Sequence, residues 1–393
     1  MTAFLALAIL TATGPDPAGP WRAVLDLAGG QLRFAIELTQ HGGRLEGRLC
    51  NGADCQAFTG VTLRSDTLLL EMADYAATIT ATLRGDSLSG VYANVGNRGP
   101  RTIPFRAARG RWPAEPPSAV LTGSWDGWVL GPTGSRSPRV FQFRATAAGL
   151  EGTLISNAGD FGNFWGSVQG SALSMSHFDG SYVYLLTARL EGDTLRGTFH
   201  AGLRTQSPFV AVRSTGKPHL LPPAAVTRAD TTAPFQFAFP DLDGRLVTND
   251  DPRFRGKVVL VDVFGSWCPT CHDAAPVLVG LYREFHDRGF EVVGLAYEVT
   301  GDPEVDGRLV RRFRDKFGIP WPLLLAGINE TQLTAATLPQ LQGFTAYPTL
   351  VFLGRDGRVR HIHAGFYGPA LGEQHARLVK ELHARVEELL HEN

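Results

Sequence analysis

Hydrophobic and polar residues alternate in short runs over the first half of the chain and follow a different rule in the second half. Between Trp21 and Arg213, apolar residues tend to occupy every second position, in segments separated by Gly, Asn and Asp. This pattern predicts antiparallel β-strands joined by tight turns. From residue 233 onward, longer apolar runs alternate with segments of helical spacing, which predicts strands connected by helices. We therefore expect an all-β N-terminal half and an α/β C-terminal half.

The β-rich half contains an internal repeat. The segment ATLRGDSLSGVY at 81–92 returns as ARLEGDTLRGTF at 188–199, and Gly19-Pro-Trp21 returns as Gly123-Ser-Trp125. A copy of this length holds six to eight strands, enough for a small barrel or sandwich that protects its own edges. We predict two tandem antiparallel modules at residues 19–112 and 120–214, a Pro-containing linker at 215–232, and an α/β domain at 233–393.

Each copy begins with Gly-x-Trp and ends near an arginine, either Arg106 or Arg109 in the first copy and Arg213 in the second. This arrangement resembles the lipocalin-like calycin barrels, in which a tryptophan of the first strand packs under a terminal arginine. The resemblance implies that Trp21 and Trp125 are core residues.

The chemistry of the chain is concentrated in one stretch of the C-terminal half. The apolar run Val258–Phe264 predicts a buried strand, and after Cys268-Pro-Thr-Cys271 the pattern becomes helical. A helix N-terminus favours an anion, and a thiolate is the nucleophile of disulfide exchange. We therefore predict that Cys268 attacks and that Cys271, one turn further on, resolves the mixed disulfide. Further along, the pattern predicts a strand at 290–297 and helices at 309–317, 331–338 and 378–390.

Three more positions complete a family pattern. Asp262 lies on the predicted strand six residues before Cys268, Pro276 lies five residues after Cys271, and Tyr347-Pro348-Thr349 opens a later strand. Together with the cysteine motif, they resemble the extracytoplasmic thiol-disulfide oxidoreductases of the TlpA/ResA type, which have a thioredoxin fold.

This resemblance implies roles for individual residues. Asp262 would be the buried proton acceptor for Cys271. Pro348 would follow a cis peptide bond and face the cysteines. The substrate would bind against a set of surrounding residues, namely Trp267, Pro269, Thr270, Tyr347 and Pro348. The sequence departs from the family at Ala274, where a glutamate is usual, and in the Pro-Thr dipeptide between the cysteines.

Other interpretations of the motif remain open. Cys268-Pro-Thr-Cys271-His272 also spells the attachment motif for c-type haem, and a lone pair of cysteines can be half of a zinc site. A peroxiredoxin is a further alternative. In a different class, the β modules could carry a ligand-binding or partner-binding function on a redox-silent scaffold.

The other two cysteines occur only in the first module. Cys50 and Cys55 flank Asn51-Gly52, which is a strong tight-turn signal. In an oxidising compartment we predict a structural disulfide, with a second redox pair or free thiols as alternatives. The second module has no cysteines at this place, so the fold itself does not require the bridge.

Composition and charge narrow the partners. The formal net charge is −1 and there is no basic run, which argues against nucleic acid. No apolar stretch is long enough to span a bilayer. The run AFLALAIL followed by small residues resembles a secretory signal over residues 1–14, although it lacks a basic start. An N-terminal strand, or a start codon placed too far downstream, is the alternative. We predict an exported, periplasmic reductant without metal or bound cofactor, which exchanges with protein thiols or disulfides and receives electrons from a thiol-disulfide carrier.

Overall fold

The computed structural model describes residues 16–96, 99–114, 119–131, 133–147 and 149–392. The predicted export signal at residues 1–14 lies outside these ranges. The first module is built from nine antiparallel strands. They are β1 (Gly19–Leu27), β2 (Gly30–His41), β3 (Arg44–Asn51), β4 (Asp54–Ala57), β5 (Gly60–Arg64), β6 (Thr67–Met72), β7 (Ala77–Arg84), β8 (Ser87–Gly96) and β9 (Gly99–Arg109), with a short 3-10 helix at Ala73–Tyr75.

The first module is an open half-barrel. Its strands run in the order β4-β3-β2-β1-β9-β8-β7-β6-β5, so β4 and β5 form the two edges of the sheet. Just beyond β4, the Phe58 backbone N–H donates to the Gly47 carbonyl at 2.9 Å, which extends the pairing of β3 with β4 by one step. The predicted number of six to eight strands per copy was too low, because the alternating pattern did not show all of the short strands that form hairpins.

The second module repeats the order but closes into a barrel. Its strands are β10 (Gly123–Leu130), β11 (Arg136–Thr146), β12 (Gly149–Ser156), β13 (Gly159–Asp160), β14 (Phe164–Gln169), β15 (Ala172–Phe178), β16 (Val183–Glu191), β17 (Thr194–Ala201) and β18 (Thr205–Arg213), preceded by a 3-10 helix at Ala119–Leu121. An additional pairing of β11 with β12 closes a ring of eight strands, with β13 as an outlying ninth. Of the two predicted architectures, this module therefore adopts the barrel.

The core of the first module is completed by residues of the second. Phe178, Val183 and Leu185, from β15 and β16, are fully buried within the apolar cluster of the half-barrel. The Phe178 ring lies 4.8 Å from the ring of Phe34 and 4.9 Å from the ring of Tyr92. The two modules thus share one apolar interface, and the open side of the half-barrel is filled by its neighbour.

Both modules contain the predicted tryptophan and arginine pair. The guanidinium of Arg109 lies 4.4 Å from the ring centre of Trp21, and that of Arg213 lies 4.2 Å from the ring centre of Trp125. Each arginine also donates to two backbone carbonyls that precede the first strand of its module. The partner in the first module is Arg109 rather than Arg106, which instead pairs with Asp26.

The C-terminal part has a thioredoxin-like fold. Its elements are α1 (Pro223–Val226), β19 (Arg228–Ala229), β20 (Ala238–Pro240), β21 (Leu246–Thr248), β22 (Val258–Phe264), α2 (Pro269–Phe285), β23 (Phe290–Glu298), α3 (Pro303–Phe317), β24 (Leu323–Ile328), α4 (Thr331–Thr337), β25 (Leu341–Gln342), β26 (Thr349–Leu353), β27 (Val359–Ala364) and α5 (Glu373–His391), with 3-10 helices at His286–Arg288 and Pro369–Leu371. The central sheet runs β24-β23-β22-β26-β27, with β22 in the middle, parallel to β23 and antiparallel to β26.

Two helices begin earlier than their apolar spacing predicted. Helix α3 starts at Pro303 because the Asp302 carboxylate accepts hydrogen bonds from the backbone N–H groups of Glu304 and Val305. Helix α5 starts at Glu373, before its apolar face begins at Leu378. Residues 215–232 contain helix α1 and strand β19, which pairs with β25. None of the helices in the described ranges combines the length and the apolar character that crossing a bilayer requires.

Candidate active site

The two cysteines lie where the central strand passes into a helix, as the hydrophobic pattern predicted. Cys268 is the N-terminal cap of α2, and the backbone N–H groups of Cys271 and His272 donate to its carbonyl at 3.0 and 3.1 Å. Proline at the first helical position suits this start, because its missing N–H would have no partner there. Cys268 therefore lies at the open end of the helix, as the sequence predicted.

The sulfur atoms are close enough to exchange. Both cysteines are in the free form, and their Sγ atoms lie 2.6 Å apart. The Cys268 Sγ also lies 3.2 Å from the Thr270 hydroxyl oxygen. Burial raises the pKa of the Cys271 thiol well above its usual value, with further contributions from the Cys268 contact and from the charge of Asp262. Cys271 therefore needs a proton acceptor before it can act as a nucleophile.

Asp262 has the properties of such an acceptor. It lies in the middle of β22, is 6% exposed, and its Oδ1 atom has no hydrogen-bond partner among the described residues. Burial raises its pKa to about 7. Because a base is most useful when its pKa lies near the working pH, this carboxyl is suited to proton transfer near neutrality.

The predicted substrate-binding residues surround the cysteines. The peptide bond between Tyr347 and Pro348 is cis, as the resemblance implied, and the Tyr347 carbonyl lies 3.6 Å from the Cys268 Sγ. Thr270 donates its hydroxyl to the same carbonyl at 3.2 Å. Trp267 packs edge-on against the Tyr347 ring at 5.5 Å. Trp267, Pro269, Thr270 and Tyr347 are half-buried, whereas Pro348 is buried.

A second buried carboxyl, which sequence reasoning did not identify, is hydrogen-bonded to the segment just before the cysteines. Glu298, at the end of β23, accepts hydrogen bonds from the backbone N–H and the hydroxyl of Ser266, each at 2.7 Å. Burial raises its pKa to about 7. The neighbouring strand therefore supplies an acidic group, although the usual glutamate is replaced by Ala274. The available signal was its position at the carboxyl end of a strand parallel to β22.

His272 is not arranged to ligate a haem iron. Its Nε2 atom donates to the Ser266 carbonyl at 2.7 Å, and its Nδ1 atom lies 3.4 Å from the Lys316 Nζ atom. Burial and the charge of Lys316 lower its pKa to about 4, so the ring is neutral. The two ring nitrogens are thus engaged within the protein, which argues against the haem interpretation. Within the described ranges, no group of three or more His, Cys, Asp or Glu is arranged to hold a metal ion.

The β modules cover one side of the cysteine motif, which the sequence did not indicate. A cavity of about 260 Å³ lies between them and Pro269, Thr270 and Asp273. It is lined mainly by polar and aromatic side chains of all three parts, including Asn51, Asp54, Tyr75, Asp160, His177, Asp179, Tyr182 and Lys316. Burial and, to a smaller extent, the nearby Asp160, Asp179 and Asp54 together raise the pKa of Asp273 to about 8.

Cys50 and Cys55 form a disulfide across the β3–β4 hairpin. Leu49, Asn51, Asp54 and Gln56 of this hairpin line the cavity next to the cysteine motif. Since successive side chains of a strand point to opposite faces, the disulfide lies on the other face of the hairpin. This placement favours the structural role over exchange with Cys268.

Comparisons with known proteins find similarity to thiol-disulfide oxidoreductases. The Redoxin family profile matches residues 228–373. The thiol-disulfide oxidoreductase ResA of Geobacillus thermodenitrificans is 29% identical over 150 residues, which cover 38% of this chain and 77% of the relative. ResA of Halalkalibacterium halodurans is 25% identical over 145 residues, which cover 37% and 73%. A crystal structure of a thioredoxin-family thiol:disulfide interchange protein from Chlorobium tepidum superimposes with a TM-score of 0.32 at 22% identity, over 42% of this chain and 99% of that one.

Proposed function

We propose that this chain, whose C-terminal part is a Redoxin domain of the thioredoxin-like fold and a homologue of ResA, exchanges disulfides through Cys268 and Cys271 as an extracytoplasmic reductant. One observation carries the proposal: two free sulfur atoms lie 2.6 Å apart at the start of a helix, in front of a buried carboxyl. The disulfide between Cys50 and Cys55 supports an oxidising compartment, because such bonds are rare in the cytosol.

The proposed reaction has two exchange steps. The Cys268 thiolate attacks one sulfur of a substrate disulfide, a mixed disulfide forms, and the other substrate sulfur leaves as a thiolate that takes up a proton. Asp262 then accepts the proton of Cys271, whose thiolate attacks the Cys268 sulfur and releases the second substrate thiol. Two electrons pass to the substrate, and the Cys268–Cys271 disulfide is left in the protein. A thiol carrier of the same compartment restores the dithiol by the reverse exchange.

The substrate-binding roles follow from position. The Tyr347 carbonyl beside the Cys268 sulfur is an acceptor for a backbone N–H of the substrate chain. Trp267, Pro269, Thr270 and Pro348 form the surrounding surface. Protein thiols and disulfides are the proposed substrates.

A redox titration tests this function. We would equilibrate the full-length protein in thiol-disulfide buffers, quench by alkylation, and measure the mass of the peptide that carries both cysteines. We expect one two-electron transition at about −270 mV or below, as for reducing thioredoxins. Cys268→Ser should abolish the transition, and Cys271→Ser should accumulate a mixed disulfide with added substrate.

The double variant Cys50→Ser/Cys55→Ser is the matched control, and it should retain the transition. A midpoint near about −120 mV would contradict the direction of electron flow, because it is typical of a strong oxidant. The absence of any transition that involves Cys268 would contradict the function itself and favour a binding role of the β modules.

A further inference from the structure

A turn of the second module touches the backbone of the cysteine motif. In the turn at residues 179–182, which joins β15 to β16, the Ser181 hydroxyl donates to the Trp267 carbonyl at 3.0 Å. The Asp179 carboxylate accepts hydrogen bonds from the backbone N–H groups of Ser181 and Tyr182, which shapes the turn. Trp267 directly precedes the attacking cysteine, so this contact is made beside the reacting sulfur.

The first module holds this turn in place. The Tyr92 hydroxyl donates to the Gly180 carbonyl at 3.0 Å, and the Arg101 guanidinium donates to the Ser181 carbonyl. The Asn51 side chain both donates to the Phe178 carbonyl and accepts from the Phe178 N–H. Because both modules contribute to its position, the 179–182 turn is a built part of the active-site wall.

The first module also contacts the cysteine-bearing helix directly. The Tyr75 ring stacks on the ring of His272 at 4.5 Å. Next to this stack, the Lys316 ammonium lies 2.6 Å from the Asp74 carboxylate, and Arg312 donates to the Ala73 carbonyl at 3.2 Å. This side of the motif is therefore closed by aromatic stacking and by an ion pair.

The second module closes a further side. The Gly368 backbone N–H donates to the Asp160 carboxylate at 2.5 Å, and Gly159 forms a β-bridge with Phe366. Cys268 is only 2% exposed, and the adjoining Pro269 and Thr270 line the cavity of about 260 Å³ that the modules cover. A stable contact between folded proteins buries about 800 Å² on each partner, far more surface than this cavity offers.

We propose that the two β modules form an access filter over Cys268, so that the substrate must present its sulfur on a narrow and flexible group. Either a low-molecular-weight disulfide or an extended cysteine-containing peptide segment has this shape, whereas the surface of a folded protein does not. The proposal rests on the proposed function of the cysteine pair, and it leaves the exchange chemistry unchanged. It assigns substrate selection to contacts between the modules and the Redoxin domain.

The test measures rates of disulfide reduction by prereduced full-length protein. The substrates are bis(2-hydroxyethyl) disulfide, a disulfide-linked dimer of a short Gly-Ser-Cys peptide, and insulin as the folded protein. The readout is the oxidation of Cys268 and Cys271, measured by quench alkylation and mass spectrometry. We expect the wild type to reduce the two narrow substrates at least tenfold faster than insulin.

The filter is opened by Ser181→Ala/Asp74→Ala/Arg312→Ala, which truncates three side chains that do not line the cavity and removes their contacts with Trp267, Lys316 and Ala73. This variant should raise the ratio of the insulin rate to the small-disulfide rate at least fivefold over the wild type. The matched control Ser87→Ala/Asp356→Ala/Arg385→Ala removes contacts of the same kinds within single parts of the chain, and its rates should not change.

An independent readout is the alkylation of Cys268. Two reagents are compared, iodoacetamide and a polyethylene-glycol maleimide of about 5 kDa, and the rate of each with Cys268 is divided by its rate with a free cysteine peptide. In the wild type this relative rate should be far higher for iodoacetamide than for the large maleimide. The opened variant should reduce the difference between the two relative rates. Equal rates for insulin and the narrow substrates in the wild type, or rates that the opened variant leaves unchanged, would overturn the filter. If the wild type reduced none of the three substrates, the proposed function itself would be overturned.

Discussion

The two β modules share a repeat and a strand order, yet only the second closes on itself. In the second module, β12 and β14 pair through Leu150 with Gly166, Glu151 with Trp165, and Gly152 with Phe164. In the described part of the first module, the corresponding strands β3 and β5 share no ladder, and the hydrogen bond from Phe58 to Gly47 only extends the pairing of β3 with β4. The half-barrel is instead filled by side chains of β15 and β16.

This difference shows which structural features the two copies of the repeat have in common and which depend on their surroundings. The tryptophan and arginine pair lies within one copy, and both copies contain it with similar geometry. Closure depends on what each copy packs against, and that differs because the first module has the second as a neighbour on its open side. As a consequence, the turn that follows Phe178 is held between the two modules and reaches the active site.

The largest expected effect comes from a residue of the second module that stabilises the first. Phe178→Ala removes a fully buried ring from the core of the half-barrel and should lower the free energy of unfolding of the first module by about 3–5 kcal/mol. Hydrogen exchange measured by mass spectrometry should show the loss of protection in β2 and β8, because local stability is read there directly.

The matched variant is Phe141→Ala, which removes a fully buried ring from the core of the second module itself. Its loss of protection should be confined to the second module. If Phe178→Ala left β2 and β8 as protected as in the wild type, the half-barrel would be self-sufficient and the comparison would fail.

The second prediction concerns how the contact that each module makes with the C-terminal domain changes the stability of the protein with pH. The second module meets the C-terminal domain where Asp273 lies near Asp160, and the pKa of Asp273 is raised to about 8 by burial and by Asp160, Asp179 and Asp54. A carboxyl whose pKa is higher in the folded than in the unfolded state binds its proton more tightly when folded, so stability decreases as pH rises from about 4 to about 8. Asp273→Asn should reduce this decrease by about 2–3 kcal/mol at pH 9, since one pKa unit corresponds to about 1.4 kcal/mol and the full shift must be discounted for coupling between the acids.

The measurement is the denaturant midpoint as a function of pH. Asp262 and Glu298 have raised pKa values too, so part of the slope should remain in Asp273→Asn. The contact of the first module should contribute a slope of the opposite sign, because burial lowers the pKa of His272 from about 6.5 to about 4 and the unfolded chain binds the extra proton between these values. This contribution makes stability rise with pH up to about 6.5 and vanishes at higher pH. A pH profile identical to that of the wild type would show that the carboxyls do not strain the contact.

The smallest predicted effect concerns the disulfide that only the first module has. Cys50→Ser/Cys55→Ser opens a covalent loop with a sequence separation of 5 and should lower the stability of the half-barrel by about 2 kcal/mol, the chain-entropy value for a loop of this length. The midpoint of the Cys268–Cys271 pair should not move, because the disulfide lies on the face of the hairpin that points away from the cavity. A shifted midpoint would favour the alternative in which the two pairs exchange.

Much of the active site was predictable because it is local in the sequence. The strand Val258–Phe264, the cysteines at the helix start and the buried Asp262 follow from hydrophobic patterning and spacing within a few residues of one another. The cis bond before Pro348 followed from the family resemblance alone. Glu298 was missed because it joins the site through the pairing of β23 with β22, a contact between distant segments.

The amino-acid sequence by itself determined the β and α/β halves, the repeat and the position of the two cysteines at the start of a helix. Each of these depends on side-chain periodicity or on residues close together in the chain. Only the tertiary structure decided that the second copy closes and the first stays open, and that Phe178 of the second module lies in the core of the first. It also decided that Tyr75 and Ser181 lie against the cysteine motif. These features depend on surfaces that fit only after each part has folded, and alternation along a strand does not specify which surface will cover it.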